Sequence, residues 1–162
     1  MKYTQKYTIV CFFSAQDAAP NFPSSDWPLH VTVLGTFKTD WPIDKLAREL
    51  EKLASTVAAF DVTPTEQAML GPDKDVPVKL LRLDGGILAL HNKLLELSDD
   101  GSFVYNTPEF VGQGFLPHAT DQKDDSVKIG QKYRLSSISL VDMFPSGDHM
   151  RRVIIDTFAL KG

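Results

Sequence analysis

Two short stretches carry residues that could do chemistry together: Pro28-Leu29-His30-Val31-Thr32 and Leu116-Pro117-His118-Ala119-Thr120. Each holds a His-x-Thr closely preceded by a proline. Successive side chains of a β-strand point to opposite faces, so His30 shares a face with Thr32, and His118 with Thr120. Val31, Val33 and Ala119 then turn toward a core. An imidazole beside a hydroxyl combines a group that gives or takes a proton near neutrality with a donor for a phosphate-sized anion. In-line displacement at phosphorus needs a base to activate the nucleophile and an acid to protonate the departing oxygen, and two imidazoles flanking one phosphate supply both. The threonines would donate to the non-bridging oxygens as charge builds there. That chemistry requires neither metal nor organic cofactor, and none is expected. One His-x-Thr carries little information, but this pair uses half of the four histidines.

The elements that must hold these residues can be read from periodicity. Tyr7 to Phe13 is β-branched and aromatic and reads as a buried first strand; Leu29 to Phe37 is the strand of the first motif. Between them, Ser14 to Pro28 carries three prolines and reads as a loop, either a wall or lid of the site or an ordered surface excursion. Asp40-Trp41-Pro42 offers a capping side chain and a proline for a helix in which Ile43, Leu46, Leu50, Leu53, Ala54 and Val57 recur at helical spacing. Strands follow from Phe60 to Leu70 and from Val78 to Leu83, with Gly71-Pro72-Asp73-Lys74-Asp75 as the turn between them. Asp84-Gly85-Gly86 leads into a second helix, Ile87 to Leu97, stopped by Ser98-Asp99-Asp100-Gly101; His91 is read as a surface residue of it. A second loop, Asn106 to Gly114, delivers the second motif, whose strand is short because Asp121, Lys123, Asp124 and Asp125 follow. Lys132 to Phe144 and Arg152 to Leu160 read as a closing antiparallel hairpin, with His149 exposed at its turn. Mixed strands and two helices argue for an α+β fold rather than a doubly wound sheet.

Composition narrows the partners. The 162 residues, 43% hydrophobic and 23% charged, suit one domain of residues 1–162 with a core of its own. The net charge of −4 argues against a grip on long duplex nucleic acid, which calls for a basic stripe. Lys128, Lys132 and Arg134, then Arg151-Arg152, read as solvated faces or strand edges. Small nucleotides or RNA ends fit better. The single Cys11, set in an apolar run, excludes a disulfide within the chain and reads as a buried, inert thiol. No secretory leader or membrane span is visible, so a cytoplasmic protein with no membrane partner is expected, most simply a monomer. The acidic groups Asp73, Asp75 and Asp84, and Asp121, Asp124 and Asp125, lack histidine or cysteine at ligand spacing and read as solvated loops. No glycine-rich loop followed by lysine marks an ATP site; Gly112-Gln113-Gly114 reads as a turn.

The paired motifs and the order of elements around them resemble the 2H phosphoesterase superfamily, which includes the 2′-5′ RNA ligase-like proteins and cyclic phosphodiesterases. The resemblance spans nearly the whole chain. It implies a two-lobed, duplicated fold of antiparallel sheets, with helices outside and a central cleft into which each lobe places one motif. It further implies metal-independent hydrolysis of a 2′,3′-cyclic phosphate to a 2′-phosphate, with His30 as acid, His118 as base, Thr32 and Thr120 beside them, and ligation as the reverse reaction. Cyclic oligonucleotide signals and ADP-ribose cyclic phosphate are alternative substrates, and a module that binds nucleotides or RNA ends without turnover is the alternative of another class. Asp121, where the family has an apolar residue, and the small Ala119 depart from the pattern and leave the path of the second strand open.

Overall fold

The computed structural model describes residues 5–14, 21–83, 85–98, 100–122 and 125–162. Asp84, Asp99, Lys123, Asp124 and the middle of the first loop lie outside the described residues. The chain opens with β1 (Gln5–Phe12), a short β2 (Asn21–Pro23) and the ten-residue β3 (His30–Thr39). Helix α1 (Ile43–Ala54) follows, then β4 (Phe60–Val62), β5 (Pro64–Leu70) and β6 (Val76–Leu81). Helix α2 (Gly85–Glu96), β7 (Phe103–Tyr105) and β8 (His118–Thr120) lead to β9 (Tyr133–Leu135), β10 (Ser137–Asp142) and β11 (Arg151–Ala159). The α+β class is the one expected, with antiparallel pairing throughout the named strands.

One sheet runs in the order β2-β11-β10-β1-β3-β8-β6-β5, with β7 also on β3. Its two halves meet at the motif strands. β3 is bound along its length by β1, but it touches β8 through the single pair Val31–Ala119, and β8 in turn pairs with β6 from Val78 to Leu80. The seam between the lobes therefore runs through the residues that separate each histidine from its threonine.

Alternation decides what lies on either side of that sheet. Ile9, Cys11, Val31 and Val33 join the main core with Leu46, Leu50, Ile87, Leu90 and Leu94 of the two helices. Val10, Phe22, Val141 and Ile154 form a smaller cluster with Trp27 and Met143 packed against it. Both faces of β1 are thus covered, which is why its sequence is a continuous apolar run. Burial pushes the Cys11 thiol up to about 12, so it stays protonated and inert, as expected.

Three local readings are corrected. Asp40 does not cap α1: Pro42 occupies the N-cap position, no side chain caps the helix, and the Thr39 hydroxyl accepts from the Trp41 N–H at 3.2 Å. Lys132 to Phe144 is two strands, because the chain changes partner: β9 pairs with β4, and β10 with β1 and β11. Alternation persists across such a switch, so periodicity alone cannot reveal it. Arg152 is not a solvated face, since its Nη1 donates to the carbonyls of Met143, His149 and Arg151 at 3.1, 2.8 and 3.0 Å. No helix among the described residues is long and apolar enough to cross a membrane.

Candidate active site

β3 and β8 begin at their histidines, and each histidine is fastened in the same way. His30 Nδ1 lies 2.8 Å from the Pro28 carbonyl oxygen, and His118 Nδ1 lies 2.8 Å from that of Leu116. A carbonyl can only accept, so both Nδ1 atoms carry the hydrogen and neither Nε2 atom is used by these bonds. The duplication visible in the motifs thus extends to one hydrogen bond and one tautomer. His30, Thr32 and His118 line a single cavity of about 750 Å³. Thr120 is half-buried, two residues beyond His118 on the same strand, and is not among the lining residues.

The rest of the lining is mostly apolar. Trp27 and Met143 stand on one side, and Met69, Leu70, Phe110 and Leu116 on others. Besides the histidines, Lys74 and Glu109 are the charged residues among the described lining. Lys74 sits at the tip of the β5–β6 hairpin with φ 53°, a conformation that L-residues adopt rarely.

The two imidazoles have different surroundings. The Trp27 ring lies 4.3 Å from that of His30, tilted by 32°, and Phe12 meets His30 edge-on at 6.0 Å. Trp27 is itself braced by Phe22 at 5.0 Å and by the Arg152 guanidinium at 5.9 Å. Loss of hydration in this aromatic setting pulls the His30 pKa down to about 4; the hydrogen bond to Pro28 opposes the shift, and the charge of nearby His118 adds to it. In the free protein His30 is therefore neutral at pH 7. His118, at the seam, is only half-buried.

β3 carries irregularities next to its motif. Val10 pairs with Thr32 but Ile9 with Leu34, so Val33 is an extra residue, and a second shift follows before Phe37. Such bulges re-aim side chains and leave backbone groups outside the ladder. Side chains take up two of them: the Thr8 hydroxyl donates to Leu34 O at 2.9 Å, and His91 Nδ1 lies 2.7 Å from Val33 O.

His91 corrects the sequence reading. It is fully buried rather than on the surface of α2, and its Nε2 accepts the Gly112 N–H at 3.0 Å. The signal was present: Ile87, Leu90 and Leu94 define the buried stripe of α2, and position 91 falls within it. Trp27 was missed because a lone aromatic in a proline-rich loop has no periodicity to expose it. His149 is exposed at its turn, as expected. Asp121, the departure from the family pattern, is explained by an ion pair: its two carboxylate oxygens lie 2.9 and 2.8 Å from Lys79 Nζ, and both side chains are largely buried. The pair sits beside the Lys79–Ala119 register position, so β8 remains a regular strand in spite of it.

Two His-x-Thr strands meeting at the seam of an antiparallel sheet in an α+β fold agree with the 2H phosphoesterase class. The chain belongs to the 2′-5′ RNA ligase superfamily, whose family model matches residues 14–134. No curated protein matches it by sequence. Among solved structures it is similar to the TT0787 protein of Thermus thermophilus, at 16% identity over 97% of this chain and 98% of that one, with a TM-score of 0.60. E. coli LigT complexed with 3′-AMP aligns at 16% identity over 98% and 99%, with a TM-score of 0.59. LigT complexed with phosphate aligns at 17% identity over 99% and 100%, with a TM-score of 0.57. At these identities the likeness bears on the fold.

Proposed function

We propose that this protein is a metal-independent cyclic phosphodiesterase that opens 2′,3′-cyclic phosphates, at RNA ends or on small nucleotides, to 2′-phosphomonoesters. The observation that carries this reading is the pair of identically fastened imidazoles on one cavity, both with Nδ1 committed to backbone and Nε2 free for proton transfer. His118 Nε2 takes a proton from water as the water oxygen bonds to phosphorus. The bond from phosphorus to the ribose 3′ oxygen breaks, and His30 Nε2–H protonates that oxygen. Thr32 and Thr120 donate to the non-bridging oxygens. With the 5′ hydroxyl of a second RNA end in place of water, the same displacement forms a 2′-5′ linkage as the bond from phosphorus to the 3′ oxygen breaks, and its reversal, with the two imidazoles exchanging roles, restores the cyclic phosphate.

The cavity supports a small substrate. A volume near 750 Å³ is in the range that encloses most of a drug-sized ligand. The apolar walls suit a ribose and a base, whereas a long polyanion would need more cations than Lys74 supplies. That LigT has been seen with 3′-AMP and with phosphate agrees with a nucleotide ligand in this fold. The purified protein should therefore turn over at least one of a panel of 2′,3′-cyclic nucleotides, short cyclic-ended RNAs and cyclic dinucleotides. Saturable binding across the panel with no turnover would favour the binding module instead.

The acid role sets a condition on His30. Its pKa near 4 leaves it without the proton it must donate, so that proton has to arrive with the substrate. An anionic phosphate against Nε2 favours the charged imidazole and raises its pKa. Phosphate or a 2′-nucleotide binding at pH 6 should thus be accompanied by uptake of close to one proton. Titration calorimetry in buffers of different ionisation enthalpy measures this directly. Binding with no proton uptake would transfer the acid role to His118.

A further inference from the structure

We propose that His91 is a positioning residue that holds the two motifs in register with each other. This rests on the two-histidine reading above. Its ring joins the two segments that matter: Nδ1–H donates to Val33 O, one residue past Thr32, and Nε2 accepts from Gly112 N–H, in the loop that delivers His118. The ring also stacks flat on Phe115, three residues before His118, with centroids 3.8 Å apart and planes 2° from parallel. Both nitrogens and one face are thus committed, which fixes the ring in one tautomer and one orientation.

The fold leaves this task to a side chain. Among the described residues Val31–Ala119 is the only pair joining β3 to β8, and β7 takes up that edge of β3 only from Phe37 onward. Val33 lies between them as the extra residue of a bulge, and the His91 ring is what meets its carbonyl. The approach to His118 is likewise held locally: a Cβ at Gly114 would collide with the Glu109 carbonyl, and Gly112 has φ 77°. His91 therefore spans, from one helix, the gap that the sheet does not close. Helix α2 packs on β3, so the ring is carried on a rigid element.

Two substitutions take the clamp apart in steps. His91→Asn places an amide nitrogen where Nδ1 was, keeping the donor for Val33 but not reaching Gly112. His91→Phe keeps the volume and the stack and loses both hydrogen bonds. The expected order of kcat on the best cyclic phosphate is parent, Asn, Phe, falling at least tenfold at the first step, with KM within about threefold. Independently of activity, the Gly112 amide should exchange with solvent at least tenfold faster in His91→Asn, and the ring signals of His118 should shift while those of His30 hold. A role confined to stability would lower Tm and leave the kcat of the folded protein and the His118 signals unchanged, and that result in His91→Asn overturns the proposal. Should His91→Phe fail to fold, His91→Asn decides alone. If the parent turns over no cyclic phosphate, the functional reading fails, and the exchange and ring-signal measurements still decide the clamp.

Discussion

Replacing either histidine by alanine should lower kcat for a cyclic phosphate by about 10²–10⁴-fold, the range typical of losing a positioned general acid or base. The two losses should not add. Each proton transfer is useful only if the other also occurs, so the double variant should be little slower than the worse of the two single variants. Stability should separate them instead. His118 is half-buried and its fastening bond is exposed, so His118→Ala should leave Tm nearly unchanged. His30 packs against Trp27, and His30→Ala leaves a gap between Trp27 and Phe12, so a Tm lower by several degrees is expected. Steady-state kinetics and thermal unfolding of the three variants read these quantities. Near-parental kcat in either single variant would remove that residue from the proton-transfer pair.

Removing a threonine hydroxyl while keeping its shape should have the second-largest effect. Thr32→Val and Thr120→Val should each reduce kcat by about tenfold to a thousandfold, as when one donor to a developing oxyanion is lost. Thr32 lines the cavity and Thr120 does not, so the larger loss is expected at Thr32. The signature lies in the split: kcat falls more than KM rises, because charge on the non-bridging oxygens grows toward the transition state. A rise in KM alone would make these residues ground-state binders.

The motif strands were legible because period-2 alternation and proline spacing act over a few residues. His30, Thr32, Val31 and Ala119 stand where that alternation puts them. The two helices were legible for the same local reason, through the Leu46-Leu50-Leu53 and Ile87-Leu90-Leu94 stripes. What sequence did not reveal depends on pairing between distant segments. The break between Leu135 and Ser137 exists because β4 and β1 compete for different parts of one apolar stretch. The burial of His91 depends on a bulge at Val33, which exists only in the register of β3 against β1. The unequal settings of the two histidines come from Trp27, brought to His30 by the loop that precedes it. Two motifs alike in sequence are therefore unlike in their surroundings.

The most direct test of the central claim is phosphorus NMR of a 2′,3′-cyclic nucleotide incubated with the protein in excess EDTA, with His118→Ala alongside. Conversion of the cyclic phosphate resonance to that of a 2′-phosphomonoester by the parent, at the same rate with and without EDTA, and its near absence in the variant, is the result expected. Conversion that stops in EDTA and returns with a divalent ion, or that proceeds equally in His118→Ala, would contradict a two-histidine, metal-independent phosphoesterase.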